Sequence, residues 1–179
     1  MDRRGLGTLF LAALLLAGCP SNEPELAEPQ GATEQSTQAL PDGLLSSVHM
    51  ADPRGTPQLL EGFHALEQGA WRWTAGRFSV ALQAPAAGQE MQLEFKFTLP
   101  QTVIARLQAV TLSARVNGAD IGSETYKQPG EYTFVKAVPG AALQAGEAVK
   151  VEFELDKALP AGEADKRELG LVAVSVALK

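Results

Sequence analysis

Two tryptophans and several charged side chains lie close together in one short segment. Trp71 and Trp73 are the only tryptophans in the 179-residue chain, with Arg72 between them and with His64 and Glu67 shortly before. Aromatic rings stack on the apolar faces of sugar rings, and charged groups bind sugar hydroxyls, so these residues are a candidate glycan-binding site. The same residues suit a structural role, in which the tryptophans fill the interior and a Glu67–Arg72 ion pair fixes a loop. In an extended strand Trp71 and Trp73 share one face, and Arg72 points to the other.

The other chemistry-bearing residues predict no catalytic residue, no metal site and no cofactor. His49 and His64 are the two histidines that could act as a general base, and neither belongs to a Gly-x-Ser-x-Gly nucleophile elbow. The histidines are too far apart for a zinc site, and the aspartates follow no calcium-loop pattern. Paired catalytic carboxylates that come together only in the folded structure leave no pattern in the sequence, so this alternative stays open. The net charge of −6 argues against nucleic acid as a partner. We therefore expect a protein that is not an enzyme.

The single cysteine of the chain ends a segment that is typical of secretory signals. Basic residues near the N-terminus precede a short apolar run, which ends in Leu16-Ala17-Gly18-Cys19 and resembles a bacterial lipobox. The apolar run is well short of the roughly 20 residues that span a bilayer, which argues against a transmembrane helix. The resemblance implies a lipoprotein signal peptide over residues 1–18, a lipid on Cys19, and membrane anchoring in the cell envelope on the periplasmic or cell-surface side.

Residues 19–43, from the lipidated cysteine onward, form a polar segment with several prolines and no aromatic residue. Such a segment cannot bury enough apolar surface to offset the entropy lost on ordering. We expect a flexible linker here, followed by one folded domain over residues 44–179. No second cysteine is present, so the domain takes no stability from a disulfide bond.

From residue 44 onward the sequence has the pattern of β-strands. Met91–Leu99 alternates apolar and polar residues, and Val110–Val116 repeats the pattern before an Asn117-Gly118 hairpin turn. Residues 169–178 are apolar on both faces, which predicts a central strand. Further predicted strands cover residues 77–84, 132–138 and 149–155. Because prolines and glycines separate these runs and no long helical period appears, we predict an all-β fold, an antiparallel β-sandwich.

Short motifs between residues 60 and 179 resemble a family of β-sandwich domains that occur in or near bacterial polysaccharide-processing proteins and glycosyltransferases. The motifs are Gly62-Phe63-His64-x-Leu66-Glu67 with Trp71-Arg72-Trp73-Thr74, Val116-Asn117-Gly118, Pro129-Gly130-Glu131-Tyr132-Thr133-Phe134 with Val138-Pro139, and Arg167-Glu168-Leu169-Gly170-Leu171. The resemblance implies a jelly-roll, galactose-binding-like sandwich of carbohydrate-binding type. His64 departs from the pattern, which has a tyrosine or another aromatic residue there.

These observations predict a lipid-anchored, non-enzymatic β-sandwich module of the cell envelope that binds glycan. Its expected partners are the membrane, through the lipid on Cys19, and a cell-surface or extracellular glycan. The alternative is a structural or protein-interaction module without a sugar site. The residues that carry either the glycan-binding or the structural role are His64, Glu67, Trp71, Arg72 and Trp73. Exposure of a tryptophan beside Glu67 in a concave patch favours glycan binding, and burial of both tryptophans favours the alternative.

Overall fold

The structure, a computed structural model, describes residues 43–85, 91–143 and 147–179. The strands in these residues are β1 (Ser47–His49), β2 (Leu59–Glu67), β3 (Trp71–Gln83), β4 (Met91–Leu99), β5 (Val110–Val116), β6 (Ala119–Tyr126), β7 (Gly130–Val138), β8 (Ala148–Leu155) and β9 (Val172–Leu178). One helix, α1 (Gln101–Leu107), and two short 3-10 helices, Pro53–Gln58 and Gly140–Ala142, lie between strands. The predicted signal peptide, the lipid site Cys19 and the linker up to residue 42 lie outside the described residues.

The strands pair antiparallel in the order β6–β5–β8–β3–β9–β4–β7, with β1 also beside β9 and β2 also beside β3. The long strand β3 joins two layers because it changes neighbour along its length. Arg72 and Trp73 at its start pair with β9, whereas residues 77–83 pair with β8. The first layer therefore contains β2, the second half of β3, β8, β5 and β6. The second layer contains the start of β3, β9, β1, β4 and β7.

Aromatic side chains fill the interior between the two layers. Phe78, Phe95, Phe97, Phe134 and Phe153 are each at most 2% exposed. Rings from the two layers meet directly, because the centroid of the Phe95 ring lies 4.7 Å from that of Phe153 and 5.6 Å from that of Phe78. Contacts at these separations stabilise the fold beyond the apolar area that each ring buries.

The structure confirms the predicted antiparallel β-sandwich. Every second residue of β4 is buried, as the alternation of its sequence predicted. The predicted turn joins β5 to β6, and Asn117 and Gly118 have the positive φ angles, 47° and 82°, that a tight hairpin of this kind requires. The last predicted strand is central, since β9 lies between β3 and β4. It starts at Val172, three residues later than predicted, and Leu169 before it forms an isolated bridge with Leu159.

Three strands and the helix were not predicted from the sequence. The pairing of β2 with β3 contains three register shifts, which break the alternation that identifies a strand. β1 is short, and β6 is mostly exposed on both faces, so neither shows a clear apolar pattern. α1 has seven residues, too few for a helical period to stand out. No helix in the described part of the chain has the length and hydropathy to cross a membrane.

Candidate functional site

The predicted Trp-Arg-Trp segment opens β3 and forms a hairpin with β2. In this hairpin Glu67 lies opposite Trp71, and Leu66 lies opposite Arg72. Both tryptophans are half-buried, and Trp73 packs against the core of the sandwich. An exposed tryptophan would favour glycan binding, and burial of both would favour a structural role. The half-burial of both tryptophans therefore favours neither role over the other.

The predicted ion pair between Glu67 and Arg72 is wrong. The register of the hairpin places Glu67 on the Trp71 face and Arg72 on the Leu66 face, so the two charged groups point in opposite directions. Glu67 instead accepts a hydrogen bond of 2.7 Å from Nη1 of Arg167. Arg72 donates to the carbonyl oxygen of His64 at 3.1 Å.

The charged residues near the hairpin hold the segment between β8 and β9 against β2. The guanidinium of Arg167 bridges Glu67 and Asp165, at 2.7 Å and 2.8 Å. Hydrogen bonds from Arg167 lower the pKa of Asp165 to about 2, because they stabilise its ionised form. His64 donates through Nε2 to the carbonyl oxygen of Glu168 at 2.7 Å. His64, Glu67 and Arg72 therefore all have structural partners within the chain.

A groove lies elsewhere, on the outer face of the first layer. It has a volume of about 570 Å³. The polar residues that line it, which define the groove below, are Glu61, Arg77, Ser113, Arg115, Glu152 and Glu154. The buried positions of β3, β5 and β8 face the core, so the residues between them point outward into the groove. Their spacing is set by the strand register, in which Glu154 lies opposite Arg77 on one side and Ser113 on the other.

Hydrogen bonds within the chain hold most charged side chains of the groove. Arg77 donates to Glu154 through Nη2 at 2.8 Å and through Nε at 3.1 Å. At the edge of the groove, Lys150 bonds to Glu152 at 2.7 Å, and this hydrogen bond raises the pKa of Lys150. Glu61 accepts from the hydroxyl of Ser79 at 3.1 Å. These contacts give the groove fixed donors and acceptors before any ligand binds.

Arg115 differs from the other charged residues of the groove. It is exposed, and it has no hydrogen bond or ion pair within residues 43–85, 91–143 and 147–179. The register places it opposite Glu152 on β8 and Asp120 on β6. Its guanidinium donors are therefore open to a ligand in the groove.

A second cavity adjoins the groove and is called the side cavity below. Its volume is about 400 Å³, and it is lined by Ala75, Gly76, Arg77, Glu154, Leu155 and Glu168. Arg77 and Glu154 line both cavities, so the ion-paired side chains lie where the two meet. The side chain of Glu168 accepts a hydrogen bond from the backbone N–H of Gly76 at 3.2 Å.

Neither the groove nor the side cavity contains a group of metal ligands. Across the described ranges, no three His, Cys, Asp or Glu side chains converge closely enough to hold a metal ion. Glu152 and Glu154 each have a cationic partner within 2.8 Å. Glu61 forms no ion pair among the described residues and accepts a hydrogen bond from the hydroxyl of Ser79.

The chain matches no protein-family model and no curated protein. Its fold is similar to that of several solved structures. A family 35 carbohydrate-binding module from Clostridium thermocellum is 12% identical, with a TM-score of 0.43 over 74% of this chain and 96% of the module. The carbohydrate-binding module CBM36 in complex with calcium and xylotriose is 10% identical, with a TM-score of 0.38 over 75% of this chain and 100% of the module.

A similar fold also occurs in the acetyl xylan esterase Est2A from the rumen bacterium Butyrivibrio proteoclasticus. The identity is 11% and the TM-score is 0.44, over 74% of this chain. The chain spans 32% of the length of that esterase. Carbohydrate-binding modules with a β-sandwich fold are thus among the structural neighbours, as the sequence resemblance predicted, and the likeness at these identities concerns the fold.

The sequence predicted a candidate site on the tryptophan segment and did not predict the groove. The groove residues occupy the polar positions of alternating strands, which are usually solvated faces. Their signal in the sequence is an unbroken series of charged residues at the outward positions of β8, namely Lys150, Glu152 and Glu154. Only the strand order shows that this series lies between Arg115 on β5 and Arg77 on β3.

Proposed function

We propose that the protein is a lipid-anchored module of the cell envelope that binds glycan and catalyses no reaction. The observation that carries the proposal is the groove of about 570 Å³, with guanidinium, carboxylate and hydroxyl groups converging on it from four neighbouring strands. Ligand sites are typically concave and use a few converging polar groups to orient the ligand. Side chains on paired strands are rigidly spaced, so these groups are in position before binding.

The chemistry of the groove suits sugar hydroxyls. A hydroxyl group donates one hydrogen bond and accepts others, so adjacent hydroxyls of a sugar ring can bond to a guanidinium and a carboxylate at once. The pair Arg77 and Glu154 offers both kinds of group side by side, with 2.8 Å between Nη2 and Oε1. Hydrogen bonds to ionised groups are stronger than those between neutral groups.

The lipid anchor is the second part of the proposal, and it rests on Leu16-Ala17-Gly18-Cys19. One acyl chain gives marginal membrane binding, whereas two or more hold a protein stably. We expect Cys19→Ser to move the protein from the detergent phase to the aqueous phase in phase partitioning. Equal recovery of the variant and the wild type in the detergent phase would contradict the anchor.

A glycan array tests whether the groove is the binding site. The full-length chain is compared with Arg77→Ala in the groove and with Arg72→Ala in the hairpin. The side chain of Arg77 is 80% exposed, so its loss should leave the melting temperature close to that of the wild type. Because Arg77 lines the groove, its loss should weaken binding. Arg72→Ala should melt at a lower temperature and bind in proportion to its folded fraction.

Two outcomes would contradict this assignment. Lost binding with an unchanged melting temperature in Arg72→Ala would return the site to the tryptophan segment. A wild-type chain that binds no glycan would favour the alternative, a structural or protein-interaction module of the envelope. The observation that favours this alternative is that His64, Glu67 and Arg72 all make structural contacts beside half-buried tryptophans.

Chromatography of each bound glycan after incubation tests the absence of catalysis, and a cleaved or deacylated product would contradict it.

A further inference from the structure

The groove and the side cavity follow one another along β8. Glu152 lines the groove, Glu154 lines both cavities, and Glu168 lines the side cavity. The outward path along β8 from Glu152 to Glu154 is about 7 Å long at roughly 3.3 Å per residue. The side cavity adds a volume of about 400 Å³ next to this path, so one monosaccharide does not fill both cavities.

Two ion pairs lie in and beside the groove. Glu154 pairs with Arg77 and Glu152 pairs with Lys150, whereas Arg115 has no partner within the described ranges. A ligand that separated either pair would leave a charge without its partner. Uncharged hydroxyl groups can bond to both members of an ion pair without separating them.

Building on the proposed function, we infer that the site takes a linear oligosaccharide that runs from the groove into the side cavity. Arg115 makes the main direct contact with this chain. The other cations of the site, Arg77 and Lys150, already donate to carboxylates, whereas the donors of Arg115 have no partner within the described ranges. A planar guanidinium with free donors can bond to two adjacent hydroxyls.

The first test is the dependence of affinity on chain length. Isothermal titration uses the full-length protein in a zwitterionic detergent, which has no sugar headgroup to compete. The probes are xylobiose and xylohexaose, and cellobiose and cellohexaose. We expect each hexamer to bind about tenfold more tightly than its dimer, because occupying the side cavity adds one or two hydrogen bonds.

The second test uses variants that separate the two cavities. Arg115→Ala should lower affinity for the dimer and the hexamer alike, by about tenfold or more, as the loss of a hydrogen bond from a charged donor does. Ala75→Phe places a ring in the side cavity, so it should weaken binding of the hexamer to that of the dimer and leave dimer binding unchanged. The matched controls are Arg106→Ala on α1 and Ala137→Phe on the outer face of the second layer, both at exposed positions. Neither control should change affinity.

The outcomes distinguish this inference from the proposed function. Equal affinity for dimer and hexamer overturns the inference and leaves a glycan-binding module. Full affinity in Arg115→Ala likewise overturns the assigned contact. If the melting temperature of Ala75→Phe shows that it does not fold, the length dependence in the wild type and the effect of Arg115→Ala still decide. If no glycan binds here or on the array, the proposed function fails with the inference.

Discussion

Replacing Phe95 by alanine tests how the alternation of β4 builds the core. Phe95 is 0% exposed, and its ring centroid lies 4.7 Å from that of Phe153, 5.1 Å from Phe97 and 5.6 Å from Phe78. Truncation removes a ring that contacts both layers. β4 pairs with β7 on one side and with β9 on the other, which limits how far the backbone can move to fill the space. We expect the free energy of unfolding to fall by about 3–5 kcal/mol, the usual range for a buried phenylalanine.

Urea denaturation followed by circular dichroism measures this loss, and the neighbouring residue supplies the control. The side chain of Lys96 is 52% exposed, and its amine lies 3.5 Å from a carboxylate oxygen of Glu94. Because an exposed ion pair of this kind contributes little, Lys96→Ala should change the free energy of unfolding by no more than about 0.5 kcal/mol. Equal losses for Phe95→Ala and Lys96→Ala would refute the inward and outward facing of β4.

Three further predictions concern the hairpin and the segment that packs against it. Arg72→Ala should cost about 1–2 kcal/mol, because it removes the hydrogen bond from a charged donor to the carbonyl of His64; an unchanged denaturation midpoint would contradict this. Gly62 has a φ of 73°, and an added Cβ would collide with the carbonyl oxygen of Arg77, so Gly62→Ala should cost more than the roughly 1–2 kcal/mol of a left-handed residue alone. Gly69→Ala, at a φ of 67° in open space, is its matched control, and equal costs in urea denaturation would refute the steric argument. Asp165 has its pKa lowered from 3.8 to about 2 in the folded state, so its contribution is complete above the ordinary value and is lost as the pH falls toward 2. The melting temperature of Asp165→Asn should therefore fall less than that of the wild type over this interval, and parallel curves would contradict it.

The fold was largely predictable from local sequence patterns. β4 and β5 each bury one face, so apolar and polar residues alternate in their sequences and identify them as strands. Asn117-Gly118 tolerates the positive φ angles of the turn between β5 and β6. β2 was not predictable in this way. Its three register shifts against β3 interrupt the alternation of inward and outward residues. β2 is therefore recognised as a strand only through its pairing with β3.

The sequence by itself determined that the domain is a β-sandwich, because a period of two is a local property that each strand carries alone. It also determined which residues face outward, including Arg115 and Glu154. Only the tertiary structure decided which of these outward residues become neighbours. Glu67 pairs with Arg167, 100 residues away, instead of the nearby Arg72, because the hairpin register turns Arg72 to the other face. The groove arises in the same way, since Arg115 and Arg77 lie on either side of β8 through strand order, which depends on packing between distant segments and leaves no local pattern in the chain.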